Sequence, residues 1–175
     1  GCGWPPALLG MAMPLGMQVL SRGVLSPPGA GPQADAQTSY PLGPGDVLQV
    51  DILDVRLRQD WGYNMIRPLV GTLPQDFPKR YKTIIPLDID RAMATMPWGL
   101  ELPLTPFFGV MGVAPPAEWG RISTIEPRVH GGNIDNKELV AGATLYLPVF
   151  ADGALFSCGD GHGAQGDGEV CVTAI

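Results

Sequence analysis

Apolar and polar positions alternate along much of this chain. Leu48, Val50 and Ile52 share one parity, and from Leu53 the apolar set moves to Leu53, Val55 and Leu57. Period-2 alternation marks a strand with one buried face, and the slip in phase predicts a bulge near Ile52 and Leu53. Pro44-Gly45-Asp46 supplies a turn ahead of it. Thr83–Pro86 reads as a short extended run, and Leu100, Leu102 and Leu104 alternate, with Pro103 indicating an edge strand. Phe107–Val113 is a continuous apolar run cut by Gly109 and Gly112, the pattern of a strand buried on both faces. Thr144–Phe150 and Ala154–Ser157 form two further strands across an Asp152-Gly153 turn, and Glu169–Ile175 forms the last. The one helical signal is the capping-box spacing Asp135-x-x-Glu138 before Leu139, enough for a single turn. Many short strands between turn residues predict a mainly β fold, a sandwich or barrel-like domain.

Composition sharpens that picture. The chain has 175 residues, with 24 glycines and 19 prolines, against usual shares of roughly 7% and 5%. Neither residue suits a helix interior, so a helical bundle or coiled coil is excluded. Hydrophobic residues make up 45% and charged residues 16%, enough apolar mass for a core. Residues 1–40 differ from the rest. Up to Ala34 the only charge is Arg22, and a divergent, poorly ordered segment is expected there, ahead of a β domain over 41–175. The apolar stretch Ala7–Leu20 is broken by Gly10, Pro14 and Gly16. It also falls short of the ~20 residues needed to span a bilayer, so no membrane segment is expected. The final apolar run stops in mid-strand at Ile175, as a fragment of a longer chain would.

The net charge is −6, and Lys79, Arg80 and Lys82 form the only basic cluster. That distribution excludes recognition of a phosphate backbone. The cysteines, Cys2, Cys158 and Cys171, cannot all pair and show no C-x-x-C spacing. A reducing, cytoplasmic setting is expected, with Cys158 and Cys171 as buried structural thiols.

The densest chemistry lies in Gly159–Glu169, where glycines alternate with Asp160, His162, Gln165, Asp167 and Glu169. Asp160 and His162 are two apart, so on an extended backbone they point to one side, and Asp167 and Glu169 do the same. A glycine turn between the pairs would gather carboxylates and an imidazole, the donor set of a catalytic Zn²⁺ or Fe²⁺. The alternative for the same residues is a solvated polar turn. A second polar cluster, Glu126–Asn136, holds the other histidine, His130. It reads either as a loop in which Asn133 and Asp135 cap the following turn, or as a second rim of the same site. No serine-nucleophile elbow and no phosphate-binding loop is present.

Four blocks carry a resemblance. Pro106–Pro116, Gly131–Asp135, Leu145–Pro148 and above all Gly159–Glu169 resemble the acetamidase/formamidase family, and Trp61–Asn64 with Gly71, Leu73, Pro74, Asp76 and Phe77 is similar to an earlier block of it. The resemblance covers Pro41 to Ile175. It implies a mainly β architecture with α+β elaboration, in a family whose members are longer than this chain. It also implies hydrolysis of short aliphatic amides, formamide and acetamide, to the acid and ammonia. On that footing a divalent metal, zinc first, activates water. Its expected ligands are Asp160, His162 and Glu169, and the expected catalytic carboxylates are Glu126, Asp167 and Glu169. Asn133, Gln165 and His130 are expected to bind the amide, with Glu126 and His130 orienting groups or delivering a proton. Phe107, Phe108, Met111 and Trp119 are candidates to wall a small pocket, or to be plain core. A homo-oligomer is the expected assembly. The rival readings are a cupin-like metal-binding β-barrel and an inactive structural fragment.

Overall fold

The computed structural model describes residues 18–26 and 42–175. Its strands, in chain order, are β1 (Gln18–Ser26), β2 (Val47–Arg56), β3 (Trp61–Ile66), β4 (Tyr81–Asp88) and β5 (Met93–Thr95). They continue with β6 (Glu101–Pro103), β7 (Phe107–Gly112), β8 (Gly131–Asn133), β9 (Thr144–Pro148) and β10 (Ser157–His162). The expectation of a poorly ordered 1–40 lies, apart from β1, outside the described residues, as does most of the Ala7–Leu20 stretch. Among the described residues there is no α-helix, only a 3-10 turn over Ala117–Trp119. The chain is mainly β, as its alternation predicts, and the α+β elaboration finds no helix in this part of it.

All pairing between strands is antiparallel, in three open sheets ordered β1-β2-β9, β10-β7-β8 and β3-β4-β5-β6. The alternation in β2 buries Leu48, Val50 and Ile52. The predicted change of phase is a bulge: Val55 pairs with Val19 and Ile52 with Ser21, so two residues of β2 oppose one of β1. The extra residue turns Leu53 out to 55% exposure, and burial resumes at Val55. β6, carrying Pro103, is an edge strand, as a residue without an N–H requires.

Three apolar clusters tie the sheets together. Leu48 and Val50 pack with Leu147, Val149 and Val113. Ile52 and Val55 pack against Phe108, Met111 and Leu139, so the first two sheets share a core in sandwich fashion. Ile85, Leu87, Ala94 and Leu104 enclose Ile175.

Three predicted elements fall elsewhere. Ala154 and Leu155, at φ 56° and 52°, are turn residues, and the strand begins at Ser157 and runs into the glycine-rich block as β10. Glu169–Ile175 joins no ladder. Glu169 and Val172 have φ 41° and 57°, and the segment lies against β3 instead. There Asn64 Nδ2 donates to the Thr173 carbonyl at 2.8 Å and Thr173 Oγ1 to the Met65 carbonyl at 3.0 Å. Asp135-x-x-Glu138 starts no helix, because Asn136 Oδ1 takes the Glu138 N–H at 3.0 Å and leaves Asp135 free to turn inward. Cys158 is exposed and Cys171 half-buried, not the two buried thiols expected.

Candidate active site

β7 is the central strand of its sheet, and Gly109 is its centre. On one side β10 pairs with it through Gly159–Val110 and Gly161–Phe108, which sets Asp160 opposite Gly109 and His162 opposite Phe107. Residues two apart share a face, so Asp160 and His162 project together. On the other side β8 ends and the chain bends over β7, where the Gly109 carbonyl accepts the backbone N–H groups of Ile134 at 2.9 Å and Asp135 at 3.0 Å. This bend brings in Asp135. Glu169 arrives from the loop after β10, and ligand atoms of Asp135, His162 and Glu169 lie within 4.8 Å of one another. Asp160 Oδ2 is 3.3 Å from His162 Nε2 and Asp135 Oδ1 is 3.9 Å from it.

Gly109 makes this convergence possible. A Cβ there would sit 2.5 Å from Asp135 Oδ1 and 3.0 Å from both Asp160 Oδ2 and His162 Cε1. The carboxylates have left-handed backbones, with φ 49° at Asp135, 56° at Asp160 and 41° at Glu169. Each such conformation costs an L-residue of order 1–3 kcal/mol, and strain of this kind clusters where side chains must be aimed.

The imidazole is buried and held on three sides. Phe107 meets it edge-on, with ring centroids 4.9 Å apart. Gln165 Nε2 donates to the Asp135 carbonyl at 2.7 Å, which turns Oε1 toward His162 Nδ1 at 2.8 Å. An amide oxygen only accepts, so Nδ1 carries a proton and Nε2 faces the carboxylates. Burial pulls the His162 pKa down, but the hydrogen bond and charge of Asp160 outweigh it and hold it above the ordinary imidazole value. Burial, with neighbouring carboxylates, pushes Asp135 and Glu169 up as well. Asn133 Nδ2 bonds Asp135 Oδ2 at 2.8 Å, whereas Asp135 Oδ1 is buried with no hydrogen-bond partner. The cluster therefore has more negative charge than its single imidazole can balance.

Beside it lies an open cleft of about 580 Å³. Gln165 and Glu169 line it, Asn64, Thr105 and Thr173 are further polar groups along it, and Met96 and Leu102 are apolar ones.

The sequence model of the acetamidase/formamidase family matches residues 40–121 and 117–175. The chain belongs to this family. It is 30% identical over 190 residues to a formamidase of Methylophilus methylotrophus, with 75% of this chain and 46% of that protein covered. With an acetamidase of Mycolicibacterium smegmatis it shares 27% over 185 residues, covering 73% and 46%. The crystal structure of an acetamidase from Bacillus halodurans superposes with a TM-score of 0.70 at 37% identity, over 77% of this chain and 44% of that one. The chain thus spans less than half the length of these relatives.

Within the family's glycine-rich block, the structure brings together Asp160, His162 and Glu169 of the expected ligands and adds Asp135, which the sequence offered as a capping residue. Gln165 bonds His162 and Asp135 rather than standing free for an amide, and Asn133 is spent on Asp135 Oδ2 and the Ile125 carbonyl at 3.2 Å. The other expected site residues are not brought here. Glu126 is exposed, and its carboxyl is held low by a bond to Ser123. Asp167 is exposed and faces Lys137 at 3.5 Å, because its glycine neighbours loop outward. His130 precedes β8 at the Gly112 end of β7, and its ring packs edge-on against Trp119 at 6.1 Å between centroids. Phe108 and Met111 belong to the core. With His162 the only histidine at the cluster, the several-histidine pattern of a cupin is not met.

No helix among the described residues is long and apolar enough to cross a membrane. Asp135 could have been found from the two-residue spacing Asn133-x-Asp135 in a block already tied to the family. Its partner, however, lies 27 positions on, and only the register through β7 makes them neighbours.

Proposed function

We propose that this chain contributes the hydrolytic centre of an amidohydrolase that cleaves the C–N bond of short linear amides, formamide and acetamide among them, to a carboxylic acid and ammonia. The observation that carries this reading is the gathering of Asp135 and Glu169 around His162, with Asp160 and Asp135 facing its Nε2 and with Asp135 Oδ1 buried without a hydrogen bond. A buried acceptor without a donor, in a cradle that a single methyl group would fill, fits a divalent cation. Zinc is the first choice for a carboxylate–imidazole set.

Asp135, Asp160 and His162 would hold the ion, with Glu169 beside it. When bound, the cation supplies Lewis acidity for the amide carbonyl and lowers the pKa of water. Glu169 also borders the cleft, and its raised pKa suits it to take the proton from attacking water and return it to the departing nitrogen, which leaves as ammonia. Gln165 and Asn133 fix the ligands and take no part in proton transfer. The reading includes self-association, supported by exposed Leu69 (88%) and Trp98 (68%), and a reducing cytoplasmic setting, supported by Cys158 and Cys171 outside any disulfide.

The test is ammonia release from formamide and acetamide, measured before and after exhaustive chelation and after Zn²⁺ is added back. Loss on chelation with recovery on zinc is expected. Turnover untouched by complete metal removal would overturn the metal, and absent turnover in the zinc-loaded protein would overturn the activity.

A further inference from the structure

We infer that Gln165 is a positioning residue that fixes which nitrogen of His162 meets the cation. This inference deepens the metal reading above and rests on it for the identity of the ion, though not for the state of the ring. Its basis is the pair of bonds already described. Gln165 Nε2 is committed to the Asp135 carbonyl at 2.7 Å, and Oε1 then meets His162 Nδ1 at 2.8 Å. Flipping the amide would set Oε1 against the Asp135 carbonyl, acceptor against acceptor, so the orientation is fixed by the backbone and not by the ring. Nδ1 is held as a donor, and Nε2 is the atom left toward Asp160 Oδ2 and Asp135 Oδ1.

The arrangement also joins two ligands through one side chain. The carbonyl that holds Gln165 belongs to Asp135, the residue whose Oδ1 lacks a partner. A shift of the Asp135 backbone would move the amide and with it the imidazole. A neutral Nε2 lone pair facing carboxylate oxygens is unfavourable unless a proton or a cation lies between them. Fixing Nδ1–H therefore leaves Nε2 as the ring atom that meets the cation.

The chain has only two histidines, His130 and His162, so ring nitrogens of ¹⁵N-labelled protein can be assigned with His130→Gln as a control. Wild type should keep a protected proton on Nδ1 of His162 with and without one equivalent of Zn²⁺, and zinc should shift the Nε2 resonance far more than that of Nδ1. Gln165→Met keeps the length and removes the acceptor. It should expose the Nδ1 proton to exchange and weaken zinc binding, measured by calorimetry, about 10–100-fold. Gln165→Glu keeps an acceptor for Nδ1 but loses the donor to the Asp135 carbonyl, so Nδ1 protection and zinc affinity should fall between those of the wild type and Gln165→Met. A wild-type Nδ1 without its proton, or Gln165→Met with unchanged zinc affinity and unchanged protection, overturns the inference. Wild type that binds no zinc while Nδ1 stays protected overturns the metal reading and leaves the role of Gln165 standing.

Discussion

Two clusters of opposite charge in this chain use the same chemical groups to different ends. From the turn between β4 and β5, Arg91 grips Glu101 of β6 in a two-pronged pair at 2.9 and 3.1 Å. Both side chains are exposed, and the cation holds the carboxyl below its usual range. Across β7, Asp135, Asp160 and Glu169 share one buried imidazole, and burial lifts Asp135 and Glu169 above their usual range. In the first, both Glu101 oxygens have a guanidinium donor, and Asp88 lies 3.8 Å from the same Arg91. The second is short of positive charge and built on strained backbone. A saturated pair on the surface has nothing left to bind, whereas a half-buried set with an unbonded oxygen keeps its affinity for a ligand.

The sharpest way to break the contrast is Gly109→Ala. The new methyl group would displace Asp135, Asp160 and His162 together. Cation affinity is expected to fall by about 100-fold or more, with a loss of about 1–3 kcal/mol in unfolding free energy from overpacking. Calorimetric zinc titration and urea unfolding measure the two, and unchanged zinc binding would remove Gly109 from the site.

Asp135→Asn should separate binding from stability. Zinc affinity is expected to drop at least about 10-fold, while the metal-free protein melts at a higher temperature at pH 8. The gain should shrink as the pH is lowered to 5, toward the range in which the wild-type carboxyl takes up a proton more readily than an ordinary one. A variant that melts lower at both values would show that Asp135 is structural.

The pH dependence of the metal-free chain follows from three shifts of one sign. Asp135 and Glu169 have raised pKa values, so their ionisation costs stability as pH climbs past the ordinary carboxylate range. His162 is raised too, so the stability of its charged form is present below the unfolded imidazole value and is lost as pH passes the folded one. The native state holds extra protons on all three counts, so the contribution of this cluster declines from about pH 4 to above pH 7, against the opposite trend from the lowered pKa values of Glu101, Glu126 and His130. Melting curves across that window, repeated with Zn²⁺, should show the cation restoring what alkali removes. Zinc binding itself should strengthen with pH as the competing proton leaves. Smallest of all, Glu101→Gln should leave both zinc affinity and melting temperature within experimental scatter, and a large effect there would dissolve the contrast.

Much of this was written in local patterns. Alternation in β2, the apolar run of β7 and the edge proline of β6 place strands because a period of two survives from sequence to sheet. The bulge was legible as well, though not that Leu53 would face water. The glycine-laced block pointed to Asp160, His162 and Glu169, which do come together, because polar groups between glycines have few structural uses. Asp135 was harder, since its local role as a cap was equally good and its partners are set by cross-strand register. Glu126, Asp167 and His130 lie away from the cluster, and no linear signal said so. Their residue types suit catalysis, yet nothing in a linear pattern tells a carboxylate aimed at a neighbouring lysine from one aimed inward.

The pairing of β10 with β7 constrains how this protein can diverge. Asp160 and His162 reach their target only because an even number of bonds separates them along a ribbon in fixed alignment. Adding or deleting one amino acid between Ser157 and His162 would invert the ribbon and present glycines where the acid and imidazole had been. The loop at Gly166–Gly168, only a few positions on, carries no such phase. Descendants of this gene should therefore vary in length there and hold length constant in the ribbon.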